Sequence, residues 1–311
     1  MSLTSFLDVK EVTDVVKCLR PEGPRKICAT LRVEPRSKRY TAVGGAFDYL
    51  LRFEIQRRAP HSVGRSWAAE ASAAILSLTN GIVFAGSSAL NGQGPEHKLR
   101  PEEIAKRAHG IVQEARAAVD SFCRRNVSDT GALKELAAHA LRLAKLDIVL
   151  RARLLDPTFD RAEEEDIEDL ISMISIAPVD NLLSADAIFL NPTFGSTGRI
   201  LGGADADLIS GGTLIDFKVT KKLSMEAQWL DQLLGYFLLW RKERSKTPAL
   251  PEIRRAGFLF ARHGHLWTFD ASAWTEHPDF LRIERWFFKT AKELRLSEPR
   301  ATSTAAGGVK D

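Results

Sequence analysis

The segment Gly202–Lys222, GGADADLISGGTLIDFKVTKK, sets three carboxylates, Asp205, Asp207 and Asp216, and the amine of Lys218 around the pair Gly211-Gly212. Gly-Gly suits a two-residue hairpin turn, because glycine accepts the positive φ such turns require. With Ser210 facing Thr213, counting outward places Asp207 opposite Asp216 and Asp205 opposite Lys218. Side chains alternate along a strand, so the three acids and Lys218 are expected on one face, and Ala206, Leu208, Ile215 and Phe217 on the other. Carboxylates facing each other repel, and the cost grows where burial strips away their water. A divalent cation removes that cost: Mg²⁺, or Mn²⁺ in its place, takes a few carboxylate oxygens together with water and phosphate oxygens. Lys218 on the same face would orient an attacking water or steady negative charge building on a phosphate. The bland alternative is an edge hairpin whose acids face water. Ile209, Leu214, Ile215 and Phe217 count against it, since both faces then carry apolar groups.

The elements that must position these residues follow from periodicity. Apolar residues recur at helical spacing over about 4–19, 44–58, 64–79, 101–125 and 130–154. A further helix is expected from Asp160 to about Ile176, with Asp160 and Glu163 as a capping box and the acidic run EEEDIED in the first turns, where the helix dipole favours it. That run therefore reads as a helix start rather than a metal site. Short strands are expected over Ala187–Leu190, Arg199–Ile209, Thr213–Val219, Gly257–Ala261 and Leu266–Phe269, separated by turn signals such as Asn191-Pro192, Gly211-Gly212 and His263-Gly264. An apolar helix over about Ser224–Arg244 lies between the third and fourth strands, and a last helix over about 271–294 precedes the tail SEPRATSTAAGGVKD, which reads as disordered. The order of helices, three strands, helix, two strands and helix gives an α/β or α+β core behind a long helical segment.

On these residues the chain resembles the PD-(D/E)xK nuclease superfamily, and more closely its RecB-like branch of exonuclease-type enzymes. Gly202-Gly203-Ala204-Asp205 is similar to that family's first strand motif, Asp216-Phe217-Lys218 to its Asp-x-Lys, and Gln232-Leu233-Leu234-Gly235-Tyr236 to its Gln-x-x-x-Tyr. The likeness covers about 35 residues. Ala204 stands where the family's proline is usual. The branch carries an upstream helix motif of Gly, three residues, then His; here Gly44 is followed by Asp48, with Glu54 a competing ligand. The resemblance implies a restriction-endonuclease-like core, with a central mixed sheet flanked by helices. It also implies Asp205, Asp216 and Lys218 as catalytic residues supported by Gln232 and Tyr236. The metal, Mg²⁺ or Mn²⁺, would be held by Asp205, Asp216, Asp48, the backbone carbonyl of Phe217 and Asp207 as a second ligand or helper. The implied reaction is phosphodiester hydrolysis and the implied partner DNA, single- or double-stranded, with protein partners in a defence or repair complex. The expected division is 1–60 for N-terminal helices with the upstream motif, 61–180 for a helical insertion, 181–296 for the nuclease core and 297–311 for the tail.

Composition is compatible with this. The chain has 311 residues, 44% hydrophobic and 27% charged, with a formal charge of +4, a balance that permits a polyanionic partner without demanding one. From Lys17 to Arg39, eight basic residues (Lys17, Arg20, Arg25, Lys26, Arg32, Arg36, Lys38 and Arg39) face only Glu22 and Glu34, as a phosphate-tracking surface or a solvated face. Basic residues in RPEEIAKRAHG and FCRRN could contact phosphates, and Trp67, Trp229 and Trp240 could stack on bases, although core placement suits each ring. Cys18, Cys28 and Cys123 lack the close pairing of a zinc or iron-sulfur site, and their scarcity fits a reducing compartment. The start MSLTSFLDVKE has no basic stretch followed by an apolar run, and Leu233–Trp240 is far shorter than the roughly 20 residues that span a bilayer, so a cytoplasmic protein without membrane contact is expected. Two other functions compete: a nuclease fold kept only for binding or as a structural subunit, and a nucleotide-sugar transferase using Asp205-Ala206-Asp207 as its metal motif. The second needs an α/β half upstream, which the helical N-terminal region does not supply.

Overall fold

The computed structural model describes residues 2–21, 27–64, 66–78, 100–125, 129–184 and 186–297. Its centre is a five-stranded mixed sheet in the order β1 (Ile188–Leu190), β2 (Leu208–Ser210), β3 (Thr213–Lys218), β4 (Arg255–Phe260), β5 (His265–Asp270). All neighbours are antiparallel except β3 and β4, which run parallel. A parallel pair needs a long crossover, and here it is the helix Ala227–Arg244, described below as α10.

Helices cover both faces. On one side lie α3 (Tyr40–Arg58), α4 (Ala68–Leu78), α5 (Pro101–Cys123), α6 (Thr130–Ala152), α7 (Glu164–Ile176) and α8 (Val179–Leu182), packed on Leu190, Leu208, Ile215 and Leu259. On the other lie α1 (Leu3–Leu7), α2 (Lys10–Val16), α10, α11 (Ser272–Thr275) and α12 (Phe280–Ser297), packed on Ile209, Leu214, Phe258 and Phe260. Neighbouring residues such as Leu214 and Ile215 enter opposite cores, as the period of two demands. The short helix α9 (Gly195–Gly198) connects β1 to the segment before β2. Helix α3 buries side chains around most of its circumference, from Val43 and Phe47 to Leu51 and Ile55, so it is an interior element whose polar residues must find partners inside the protein.

The hairpin forms as expected: Gly211 and Gly212 have φ of 55° and 79°, the double positive φ of a tight hairpin turn, and Ser210 pairs with Thr213, Ile209 with Leu214 and Leu208 with Ile215. The strand expected over Arg199–Ile209 does not form. Residues 199–201 make a 3₁₀ turn, Gly202 and Gly203 take φ of 70° and 97°, and β2 begins only at Leu208. Asp205 and Asp207 therefore sit on irregular chain. Asp205 bridges Thr193 rather than facing Lys218, and Ala206 joins the core of Ile209 and Leu214 instead of sharing a face with Leu208.

Other expected elements divide where a local signal was passed over. The N-terminal helix breaks at Asp8 into α1 and α2, and the last helix breaks around His277-Pro278, because proline disfavours helical backbone in the residue before it. The capping box at Asp160 and Glu163 is absent. Helix α7 starts at Glu164 with no side-chain cap bond, and Asp160 is drawn away to Arg107. The acidic run instead meets the basic N-terminal segment: Arg36 holds Glu168 (2.8 Å), and Arg39 holds Asp166 (2.6 Å) and Glu165. Arg20 reaches Asp231 of α10 (2.6 Å). Of the described residues in the Lys17–Arg39 stretch, Lys17, Arg32, Arg36 and Lys38 are exposed, as a solvated face, while Arg20, Arg36 and Arg39 are paired with the protein's own acids. A fully buried bidentate pair, Arg262 to Asp169 at 2.8 Å on both arms, ties α7 to the sheet, and the carbonyl of Arg262 accepts from Arg32 and Val33 (3.0 Å each). Among the described residues no helix is long and apolar enough to cross a membrane. The tail from 298 onward, expected to be disordered, lies outside the described residues.

Candidate active site

The polar residues singled out in the sequence meet at the carboxyl end of β3, where ligands commonly bind to sheets of this kind. Asp216 and Lys218 project from β3 toward α10. The Asp216 Oδ2 and Lys218 Nζ atoms lie 2.7 Å apart, an ion pair whose angle falls outside hydrogen-bond geometry. Lys218 Nζ also donates to Gln232 Oε1 (3.4 Å), and Gln232 Nε2 donates to the Tyr236 hydroxyl (2.8 Å). Gln232 and Tyr236 are one turn apart on α10 and so share a face. The spacing makes a relay of fixed contacts from Tyr236 through Gln232 to Lys218 and Asp216. Half-buried Trp229 flanks it, with its ring 5.1 Å from Lys218 Nζ.

Asp207 approaches from the irregular segment before β2. Its Oδ2 accepts from the backbone N–H of Phe217 at 2.5 Å, replacing the ladder bond lost where β2 has ended. Burial first, then the charges of Asp216 and Asp48, push the Asp207 carboxyl well above the ordinary carboxylate range. Asp48 comes from the opposite face of the sheet on α3, beside Phe47, whose ring packs edge-on against Phe217 at 6.4 Å. Burial raises Asp48 as well, and Asp205 adds to the rise, while Arg52 counteracts it through a 2.5 Å ion pair. Glu54, the competing ligand, is held by Arg57 at 2.7 Å on another side of α3. Asp48 therefore joins the acids and Glu54 does not. Asp205 is the most exposed member. Arg151 of α6 lies 3.9 Å from it, and the Asn191 amide, turned so that its nitrogen donates, lies 3.0 Å from its Oδ2. Asp216, Asp207 and Asp205 together, after burial, hold the Tyr236 hydroxyl well above its ordinary value.

Four carboxylates from three separate stretches of chain thus act on one another, with Lys218 beside Asp216 and Asp207 and with Arg52 and Arg151 beside Asp48 and Asp205. Asp48 Oδ1 is buried without a hydrogen-bond partner, and buried Asp216 Oδ2 has only its ion pair with Lys218. Buried acceptors normally find donors, and an unpartnered oxygen on Asp48 beside the other acids suits a hard cation. Among the described residues no three His, Cys, Asp or Glu side chains stand as a ready-made metal cage. As placed, the acids are engaged by the protein's own donors: Arg52 on Asp48, Lys218 on Asp216 and the Phe217 N–H on Asp207. The donor set fits Mg²⁺ or Mn²⁺ chemically, on condition that Arg52 and Lys218 yield.

Several participants were not singled out in the sequence. Arg52 stands four residues after Asp48 and Arg151 four after Asp147, the helical spacing of an ion pair, and that signal was available. Asp147 accepts from the Tyr49 hydroxyl (2.9 Å), and burial drives its carboxyl up to about 7. Asn191 was legible only as a turn residue; its φ of 50° and its N–H bond to the carbonyl of Asp207 (2.9 Å) make it a support for the acidic segment. A cleft of about 390 Å³ is lined by Arg52, Gln56, Trp67 and Arg116. Arg116 covers the Trp67 ring at 3.8 Å, and Trp240 is buried, so neither ring is open to a base. Of the basic residues in α5 and after it, Arg107 is paired with Asp160 and Arg125 with Asp129. No protein-family model matches the chain, and comparison with curated proteins and with solved structures returns no match.

Proposed function

We propose that the protein is a metal-dependent deoxyribonuclease of the RecB-like PD-(D/E)xK type, built on a restriction-endonuclease-like core, which hydrolyses phosphodiester bonds in DNA. The observation that carries this reading is the convergence of Asp48, Asp205, Asp207 and Asp216 near the end of β3, with Lys218 paired to Asp216 and a buried Asp48 oxygen left without a hydrogen-bond partner. Those four carboxylates and the carbonyl of Phe217 would hold Mg²⁺ or Mn²⁺. When bound, such a cation polarises a phosphoryl oxygen and lowers the pKa of a bound water.

The chain's own residues supply the rest. Lys218 places a positive charge beside Asp216, where it orients the attacking water and offsets charge on the phosphate. Gln232 fixes the position of the Lys218 amine, and Tyr236 fixes Gln232. Asp207 accepts from the backbone N–H of Phe217, which would steady that residue's carbonyl as a metal ligand. Arg151, with its side chain 69% exposed, stands at the mouth beside Asp205, where it would meet a phosphate of the incoming strand. Single- and double-stranded DNA both suit this chemistry, and work in a cytoplasmic defence or repair complex with protein partners belongs to the same proposal.

The test is incubation of wild type and Lys218→Ala with linear and circular DNA in Mg²⁺, Mn²⁺ or EDTA. Cleavage by wild type with either metal, abolished by EDTA and by the alanine change, is expected. Cleavage that survives both chelation and the substitution overturns the reading.

A further inference from the structure

A second charged surface lies away from the carboxylates. The C-terminal end of α10 and the length of α12 border a groove of about 710 Å³. Arg241, Lys242 and Arg244 line one bank, and Arg285, Lys289 and Lys292 the other. Only Glu284 and Glu293 oppose them there, a surplus of four positive charges that equals the formal charge of the entire chain, +4. Glu284 is taken by Arg241 (3.1 Å) and Glu293 lies 3.8 Å from Lys289. Among the described residues, Lys242, Arg244, Arg285 and Lys292 have no carboxylate partner. Like charges facing across a groove oppose its closing, so this surface carries a cost that a bound polyanion would relieve.

The pattern on α12 is regular. Arg285, Lys289 and Lys292 stand at i, i+4 and i+7, one stripe about 10 Å long at 1.5 Å per residue. The opposite stripe of the same helix, Ile283, Phe287 and Ala291, is buried. At 3.6 residues per turn, Arg241, Lys242 and Arg244 fall on the side of α10 turned away from Gln232 and Tyr236. The groove is therefore separate from the carboxylate site. Its floor is closed: Phe288 is 8% exposed, and Lys242 Nζ rests 5.8 Å from its ring. An acidic helix docking there would find no apolar pocket for its anchors, whereas a phosphate chain needs only cations in a row.

The geometry points to a second nucleic-acid surface in this groove, one that grips the phosphate backbone of a DNA strand without reading its bases. The choice of nucleic acid among polyanions rests on the nuclease reading. The groove holds the backbone of the strand by charge alone, its α12 stripe of three cations, about 10 Å long, reaching neighbouring phosphates of one strand.

The test is binding of a fluorescent single-stranded DNA of about 20 nucleotides in EDTA, by anisotropy from about 50 to about 200 mM salt. Three proteins are compared: wild type, the triple variant Arg285→Ala, Lys289→Ala, Lys292→Ala, and a control triple of exposed basic residues elsewhere, Lys10→Ala, Lys134→Ala, Arg255→Ala. Each cation withdrawn from a single strand flattens the slope of log K against log salt by about 0.7, so the groove variant is expected to lose about 2 in slope and about 100-fold in affinity near 100 mM salt. The control triple is expected to bind like wild type, and all three to melt alike. A groove variant that binds as tightly as wild type, or a control triple that loses as much, overturns the proposal. So does polyglutamate that competes with DNA through the same three residues, which would assign the groove to an acidic protein. The two readings fail separately. Loss of binding in the groove variant while wild type cleaves nothing with Mg²⁺ supports the groove and sinks the nuclease. Lys218-dependent cleavage with unchanged binding by the groove variant does the reverse.

Discussion

Asp147→Asn isolates the buried charge that supports the carboxylate site from α6. Burial is the largest cause of the high Asp147 pKa, and the Tyr49 hydroxyl, Arg151 and Arg52 only partly offset it, leaving the carboxyl at about 7 against an ordinary 3.8. The folded state therefore binds this proton more tightly than the unfolded chain. Its contribution to stability is complete below about pH 4 and is lost as pH rises through about 7. By linkage, a rise from 3.8 to about 7 corresponds to a ceiling of about 4 kcal/mol. Solvent reaches part of this half-buried side chain, and screening brings the expected effect to about 2 kcal/mol. Asparagine keeps an acceptor for the Tyr49 hydroxyl and has no proton to lose. Urea unfolding of both proteins in EDTA, at several pH values between about 4 and 8, gives the difference in stability directly. That difference should grow in favour of the variant by about 2 kcal/mol over the window. Shared titrations cancel in it. A difference that stays flat with pH, or grows as pH falls, refutes the assignment of Asp147 as a buried strained carboxylate.

Breaking the buried Arg262–Asp169 pair by Asp169→Asn should cost about 3–5 kcal/mol in urea unfolding, because it strands a guanidinium that is 1% exposed; a loss under 1 kcal/mol contradicts its role as a latch. Tyr236→Phe leaves Gln232 without its acceptor and should lower kcat about 10-fold with little change in melting, as expected for one hydrogen bond of about 1.4 kcal/mol; an unchanged kcat removes Tyr236 from the relay. Asp207→Asn relieves the repulsion among buried acids and should raise the metal-free melting temperature at pH 8 while abolishing cleavage, the trade-off common at functional sites. A lower melting temperature would show instead that the bond to Phe217 dominates.

Much of the architecture was legible in the sequence because its signals were local. The Gly211-Gly212 turn fixed its own register, the apolar run Leu233–Trp240 announced a buried helix, and β3 to β5 followed from short β-rich runs between turn residues. The Arg199–Ile209 strand was misread because apolar and polar residues alternate there, while Gly202 and Gly203 take a backbone that ends pairing. The start of α7 was read as capped because the partner that takes Asp160, Arg107, lies 53 residues earlier, and the partners of the acidic run itself, Arg36 and Arg39, lie more than 120 residues earlier. At the site, Asp205, Asp207, Asp216 and Lys218 were visible as a cluster within one short segment. Asp48 needed a resemblance to be noticed, since it belongs to an interior helix far upstream. The spacing of Arg151 pointed only to Asp147 and Asn191 only to a turn; their approach to Asp205 and Asp207 comes from the tertiary fold alone.

The central claim is that these acids together grip a divalent cation. Calorimetric titration of Mn²⁺ into the metal-free protein, repeated with Asp48→Asn and Asp216→Asn, tests it most directly. Saturable binding by wild type, weakened at least about 10-fold by either substitution at a cost of about 1.4 kcal/mol or more, is the expected result. No binding by wild type, or binding indifferent to both substitutions, would contradict it.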